Sequence, residues 1–203
     1  MDKPLTQKEI NVLLIGDDSL IEQVKKIKTV EQALKAVEYG CMLEFVPKEL
    51  RTAEVCLEAV RNIQSPGLGN SNALPFVPEA LKTAELCAEA VKNNYGALSF
   101  VPENLMTAEL CLKALEQDGV ALLFVPEKFK TAEMCLEAVK QNGDMLEYVP
   151  EKFKTVELCF EAFKKNHYAL KFVPQNLKDE VQEVINKWKE EFFMKIKSER
   201  RGK

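Results

Sequence analysis

The chain has 203 residues, 46% hydrophobic and 30% charged, with a net charge of −4. This composition predicts one folded domain with a sizeable core, and the acidic balance argues against a nucleic-acid or anionic-membrane surface. The first residues lack a basic region followed by an apolar run, so we expect no signal peptide and a cytoplasmic location. The early apolar run at residues 12–15 is too short to cross a bilayer, and we expect no membrane contact.

The N-terminal segment, residues 1–28, predicts a helical cap of two short helices. Thr6 and Glu9 have the spacing of a capping box before the apolar run at residues 10–15, where the first helix would lie. Gly16 would end that helix, and the second would follow. Because the end unit of a repeat array must shield an apolar face, such helices are expected there.

A repeat of 24 residues follows, marked by an aromatic-Val-Pro tripeptide. A fixed period of this size indicates an array of small units stacked on copies of themselves, and we predict repeats over residues 29–178. One step is 31 residues because of a seven-residue insertion, which its composition predicts to be a loop at residues 65–71. The recurring prolines are Pro47, Pro78, Pro102, Pro126, Pro150 and Pro174.

Residues 131–154 illustrate the predicted unit. Thr131 is a good cap for a helix of about twelve residues, whose polar side chains form one narrow stripe, so neighbouring units must cover the rest. We expect Asn142 and Gly143 to end this helix in the left-handed conformation. After an apolar segment, Pro150 opens a short helix or 3₁₀ turn. The equivalent threonines are Thr29, Thr52, Thr83, Thr107 and Thr155.

Two columns of equivalent side chains are expected in the interior. The aromatic rings before Val-Pro predict a spine of the core; a stacking platform for nucleic-acid bases is the alternative, disfavoured because no basic residues interleave with the rings. The cysteines predict small buried residues, since stacked units lie too far apart for disulfides or a shared zinc ion. The rings are Phe45, Phe76, Phe100, Phe124, Tyr148 and Phe172, and the cysteines are Cys56, Cys87, Cys111, Cys135 and Cys159, with Cys41 off the register.

The C-terminal segment, residues 179–203, predicts a capping helix and a basic tail. Apolar residues recurring at helical spacing indicate a long amphipathic helix from about Asp179 to Glu199. The last nine residues carry five positive charges and one negative charge, so the tail either binds phosphates or acidic partners or is a solvated terminus. The apolar residues are Leu177, Val181, Val184, Ile185, Trp188, Phe192 and Ile196.

No constellation of residues points to catalysis. His167 is the only histidine, and Gly67 and Gly69 lack the lysine and the helix of a phosphate loop. Carboxylate pairs recur with the repeat, whereas catalysis needs a unique desolvated pair. We therefore expect no enzyme, no catalytic residues, no metal site and no cofactor.

The helices present a recurring pair of glutamates one turn apart, here called the glutamate stripe. Either the stripe is a solvated face, softened by regularly placed basic residues such as Lys92 and Lys140, or it docks a basic protein partner. Its members are Glu54, Glu58, Glu85, Glu89, Glu133, Glu137, Glu157 and Glu161.

The helix ends resemble a known pattern. Residues 90–94 read Ala-Val-Lys-Asn-Asn and residues 138–143 read Ala-Val-Lys-Gln-Asn-Gly, each before an apolar segment and a proline turn. This resembles an uncharacterised bacterial α-helical repeat family, known mainly as a domain of unknown function, over residues 29–178. The resemblance implies a helical repeat fold and no particular activity. The period is also similar to that of leucine-rich variant repeats, which alternate α- and 3₁₀-helices.

The fold prediction is a single all-α solenoid domain over residues 1–203, built from 24-residue repeats of a long helix plus a short helix or 3₁₀ turn, with helical caps. The leading functional hypothesis is a non-catalytic protein–protein interaction scaffold that presents an elongated repeat surface to an unknown protein partner. A nucleic-acid-binding repeat protein is the alternative, but nucleic acid needs a basic groove and only the tail is basic. A leucine-rich repeat horseshoe would need one strand in every unit.

Overall fold

The computed structural model describes residues 27–62 and 72–201, with side chains described up to residue 197. The predicted N-terminal cap, apart from Ile27 and Lys28, and the predicted loop at residues 65–71 lie outside the described residues. Contacts divide the chain into two compact units, Met1–Ala114 and Leu115–Lys203. Both units are built from the same repeat, and the single-domain organisation stays a prediction.

Helices alternate with 3₁₀ segments throughout the described residues, and none of those residues forms a strand. The predicted all-α repeat solenoid is confirmed, and a leucine-rich repeat horseshoe is excluded for this part of the chain. The repeat helices have nine or ten residues, fewer than the twelve expected. The helices are α1 (Val30–Glu38), α2 (Ala53–Arg61), α3 (Ala84–Asn93), α4 (Ala108–Gln117), α5 (Ala132–Gln141), α6 (Val156–Lys165) and α7 (Lys178–Arg201).

Two 3₁₀ segments follow each repeat helix, one on either side of the Val-Pro dipeptide. Val149 has φ −76° and ψ 127°, the extended backbone that proline imposes on the preceding residue. The first segments are Leu43–Phe45, Leu74–Phe76, Tyr95–Phe100, Gly119–Phe124, Gly143–Tyr148 and His167–Phe172. The second are Lys48–Leu50, Glu79–Leu81, Glu103–Leu105, Glu127–Phe129, Glu151–Phe153 and Gln175–Leu177.

The predicted threonine caps are confirmed in all six described repeats. The Thr131 hydroxyl accepts a hydrogen bond of 3.2 Å from the backbone N–H of Met134. Its counterparts accept equivalent bonds. Each cap satisfies one of the four free N–H groups that begin an α-helix.

The expected left-handed helix ends are wrong for most repeats. Asn142 is extended, with φ −139°, and its side-chain oxygen accepts a 3.0 Å hydrogen bond from the backbone N–H of Asp144. The residue therefore caps the next 3₁₀ segment, which starts at once and leaves no left-handed linker. Only α1 among the described helices ends on such a glycine: Gly40 has φ 94°, and Cys41 donates to the carbonyl of Ala36 at 2.9 Å.

The interior spine consists of leucines, so the predicted aromatic spine is wrong. Leu146 and Val149 are buried, whereas Tyr148 is 39% exposed and Phe100 is 43% exposed. A 3₁₀ helix has three residues per turn, so residues 146 and 149 share the inner face while residue 148 points elsewhere. The fully buried leucines are Leu43, Leu74, Leu98, Leu122 and Leu146.

The cysteines are buried and free, as predicted. Each of the five that share a helix position has no solvent exposure, and Cys41 is also buried. They pack as small apolar residues.

The predicted long C-terminal helix is confirmed as α7. Val181 and Ile185 are buried where α7 packs on α6, and the Trp188 ring lies 6.1 Å from the Phe160 ring, edge to face. Two residues of the predicted apolar face of α7 are not buried, since Val184 is exposed and Phe192 is 49% exposed. Within the predicted basic tail, the side chains of residues 195–197 are described.

Two glycines allow the closest approach between neighbouring repeats. A Cβ built on Gly143 would lie 2.5 Å from the carbonyl oxygen of Ala162, and one on Gly119 would lie 2.7 Å from that of Ala138. Both distances are far inside van der Waals contact. Only these two repeats need a glycine at this position, because Tyr95 and His167 occupy the equivalent position in the repeats before and after them.

We predict that Gly143→Ala lowers the free energy of unfolding by about 1–3 kcal/mol, because the added methyl group pushes two helices apart. Urea denaturation of the full chain measures this loss. Gly96→Ala is the control, since its Cβ would meet no backbone atom of a neighbouring repeat and only the side chain of Asn94, at 3.0 Å. Equal losses in the two variants would contradict this account.

Candidate interaction surfaces

A buried lysine fastens each of three repeats to the next. Lys130 Nζ lies 2.8 Å from the carbonyl oxygen of Tyr148, one repeat further on, and 2.8 Å from a Glu127 carboxylate oxygen. Only 8% of the Lys130 side chain is exposed. Lys82 and Lys154 make the same pair of contacts, and Arg51 donates to the carbonyl oxygen of Phe76. The ammonium is thus paired with a carboxylate and hydrogen-bonded, as a largely buried cation requires.

A second set of side chains fastens the helix ends. Gln141 donates from Nε2 to the carbonyl oxygen of Leu115 at 3.1 Å and accepts the N–H of Gly119 at 2.7 Å. Asn93 donates to the carbonyl oxygen of Val60 at 2.9 Å, and Asn62 donates to that of Val37 at 2.8 Å. Each amide satisfies a free carbonyl at the end of the preceding helix. Sequence reasoning missed both sets, since lysine and amide residues at a helix end ordinarily indicate solvent.

The glutamate stripe lies on the outer surface of the repeat helices, and its two members differ. The first glutamate of each pair is exposed in the first turn, as at Glu54, Glu85, Glu133 and Glu157. A backbone N–H and the capping threonine hydroxyl lower the pKa of Glu85 and of Glu157. These carboxylates therefore stay ionised into mildly acidic solution.

The second glutamate is already engaged within its own helix in α3, α5 and α6. Glu161 pairs with Lys164 at 2.6 Å, Glu89 pairs with Lys92 at 3.4 Å, and Glu137 accepts from Gln141 at 3.2 Å. Glu58 is partly exposed on α2. Internal pairing reduces the charge available to a partner. The binding role of the stripe stays a prediction.

Partly exposed aromatic rings form a third recurring feature, here called the ring face. In the C-terminal unit it comprises Phe124, Tyr148 and Phe172. One lysine accompanies it, because Lys171 Nζ lies 4.5 Å from the centre of the Phe172 ring. Away from the ring face, Lys152 Nζ lies 4.8 Å from the centre of the Phe153 ring. A basic group therefore does accompany one of the predicted column rings, contrary to the expectation from the sequence.

The thiols are poor nucleophiles. Burial raises the pKa of Cys135 to about 11 and, with the nearby Glu44 carboxylate adding to the effect, that of Cys41 to about 12. Cys41 lines a cavity of about 140 Å³ beside Gly40 and Ala73. Across the described residues, no group of three metal-ligating side chains converges. No described helix is long and apolar enough to cross a membrane.

We predict that Lys154→Met lowers the free energy of unfolding by about 1–3 kcal/mol, because it leaves the Phe172 carbonyl without its donor. Methionine is a fair replacement, since Met106 stands at this repeat position. Lys152→Met, which removes an exposed cation, is expected to cost no more than about 0.5 kcal/mol. Urea denaturation measures the free energy of unfolding of both variants. An unchanged value for Lys154→Met would exclude the fastening role of Lys154.

The thiol pKa values predict a loss of stability in alkaline solution. Folding raises the pKa of the Cys135 thiol from 9.0 to about 11, so the unfolded chain releases this proton at a lower pH than the folded chain. The stability that the protonated thiol contributes is therefore complete below pH 9 and is lost as the pH rises through about 11. The free energy of unfolding should fall across this range, and less steeply in Cys135→Ala. Identical pH slopes for the two proteins would contradict the prediction.

Comparison with known families identifies the repeats. The family model of a domain of unknown function, DUF4116, matches three times in tandem, at residues 83–130, 107–154 and 131–178. Successive matches are offset by one repeat. No curated protein and no solved structure matches significantly. Residues 83–178, which alternate α-helices with 3₁₀ turns, therefore match the repeat of this uncharacterised family.

Proposed function

We propose that the chain is a non-catalytic scaffold that binds a protein partner through its repeats. The observation that carries this proposal is the ring face, where large aromatic side chains remain at least partly exposed at equivalent positions of the repeats. Tyr148 is 39% exposed in the C-terminal unit, and Phe100 is 43% exposed in the N-terminal unit. Aromatic residues dominate the binding energy of protein interfaces, and repetition multiplies the contact.

The backbone that carries these rings is held in place before any partner arrives. The carbonyl of Tyr148 is bound by Lys130, and that of Phe172 is bound by Lys154 at 3.3 Å. A fixed backbone lowers the entropy that binding would otherwise cost. The fastening lysines therefore support a binding role for the rings that they position.

The glutamate stripe is the basis for the finer proposal that the partner is basic. Exposed Glu133 and Glu157 offer charge, but a basic partner must displace Lys164 to reach Glu161. This competition makes the stripe secondary to the ring face. The buried free thiols support a reducing compartment such as the cytoplasm, and their raised pKa values support the absence of thiol catalysis.

We predict that Tyr148→Ala combined with Phe172→Ala weakens capture of the partner by about tenfold or more in affinity purification from the native cell. Tyr168→Ala is the matched control, because Tyr168 is 80% exposed in the same unit and lies off the ring face. Glu133→Lys combined with Glu137→Lys tests the stripe separately. Unchanged capture by the ring variant would contradict binding through the ring face. Unchanged capture by the charge variant would contradict a basic partner bound to the glutamate stripe.

Nucleic acid remains the second candidate because lysines lie against aromatic rings, one of them on the ring face and the others in the second 3₁₀ segments. Lys128 Nζ lies 5.2 Å from the centre of the Phe129 ring, and Lys152 and Lys171 are placed similarly. Stacked bases and cations together bind single strands in a salt-dependent manner. Retention of nucleic acid by the purified chain, lost in salt and in Lys152→Glu with Lys171→Glu, would favour this candidate; nucleic-acid-free protein would favour the scaffold.

A further inference from the structure

We propose that the distal half of α7, residues 188–201, binds the surface of an anionic lipid bilayer. The helix would lie in the interface with its aromatic residues among the lipid headgroups and its lysines on the phosphates. This mode is distinct from spanning a membrane. It adds a second binding surface to the proposed scaffold and does not depend on the ring face.

The apolar character of α7 continues beyond the repeat that it covers. Val181 and Ile185 are each 1% exposed, and Trp188 joins the ring cluster of α6. Past Trp188, the exposed fractions rise to 49% at Phe192, 61% at Phe193 and 68% at Met194. The Trp188 and Phe192 rings stack at 5.5 Å, so the exposed patch is continuous with the buried cluster.

The sequence around this patch is rich in basic residues. Residues 188–201 contain five basic and three acidic residues, a net charge of +2, so the other 189 residues carry −6. The side chains of Lys189, Lys195 and Lys197 are exposed among the rings, with Glu190 and Glu191 on the same stretch. Lysine and arginine clusters on an amphipathic helix attract anionic lipids. The expectation of no membrane contact came from the short apolar run and from the net charge of the chain, and the net charge conceals this separation.

The size of the patch favours a bilayer over a second copy of the chain. Phe192 and Phe193 together expose about 200 Å² of ring surface. Two such patches would bury well below the roughly 1,200 Å² of a stable protein interface. A bilayer has no such threshold, because apolar insertion and attraction to anionic headgroups add together.

Vesicle binding by the full chain tests the proposal, and Trp188, the only tryptophan, reports on α7 directly. We expect the chain to sediment with vesicles of phosphatidylcholine containing about 30% phosphatidylserine, with a blue shift of Trp188 emission. Binding to pure phosphatidylcholine should be at least about tenfold weaker, and salt should weaken binding to the anionic vesicles.

Three variants separate the contributions. Phe192→Asp with Phe193→Asp should lower vesicle affinity by about tenfold or more, whereas Tyr168→Asp, an exposed ring in the same unit, should leave it unchanged. Lys195→Glu with Lys197→Glu should remove the preference for anionic vesicles while leaving the apolar patch intact. Circular dichroism establishes that each variant is folded, and the charge variant tests the proposal even if the aspartate variant unfolds.

The proposal is overturned if the wild-type chain does not bind anionic vesicles, or if the Phe192 and Phe193 variant binds them equally well. Sedimentation equilibrium tests whether a second copy of the chain binds this patch instead. If the wild type is a dimer that does not bind vesicles, and the aspartate variant is a monomer, the patch serves self-association. Loss of partner capture in the ring-face variant leaves vesicle binding unaffected, so the two proposals fail separately.

Discussion

The repeat depends on how short helices satisfy their backbone groups. A helix of ten residues leaves four N–H groups and four carbonyls without intrahelical partners, a large share of its length. Here a threonine caps the start of each repeat helix, while Asn62, Asn93 and Gln141 supply donors to the end of the preceding helix. Buried lysines do the same for the 3₁₀ segments. Within each compact unit, several repeats are therefore completed by a neighbouring copy, which is a reason for copies to occur in tandem.

The same arrangement decides which side chains are left for binding. Lysines and amides that would ordinarily face solvent are used between repeats, and the leucines fill the interior. What remains outside is a face of partly exposed rings and a face of glutamates, several of them already paired. The ring face is preorganised because the fastening lysines hold its carbonyls. Binding surface and fold are thus produced by one set of contacts.

Much of the fold was predictable because its signals are local. The period, the threonine caps and α7 each depend on a few neighbouring residues, and all three are present as predicted. The wrong aromatic spine came from the 3₁₀ segments, where three residues per turn bury Leu146 and leave Tyr148 exposed. A period-3 pattern of Leu146 and Val149 was the available signal, but short segments of this kind are ambiguous by sequence. The lysine contacts cross repeats, so no local pattern could reveal them.

The sequence by itself determined the repeat, its helix starts, its buried thiols and its family resemblance, since these follow from spacing and residue chemistry. Tertiary structure alone decided that Lys130 is buried, that Tyr148 faces solvent and that Phe192 and Phe193 extend past the repeat that α7 covers. These outcomes depend on which neighbour lies within a few ångströms of each side chain. The stacking of one repeat on the next sets that neighbour, and the order of residues within a single repeat does not specify the stacking.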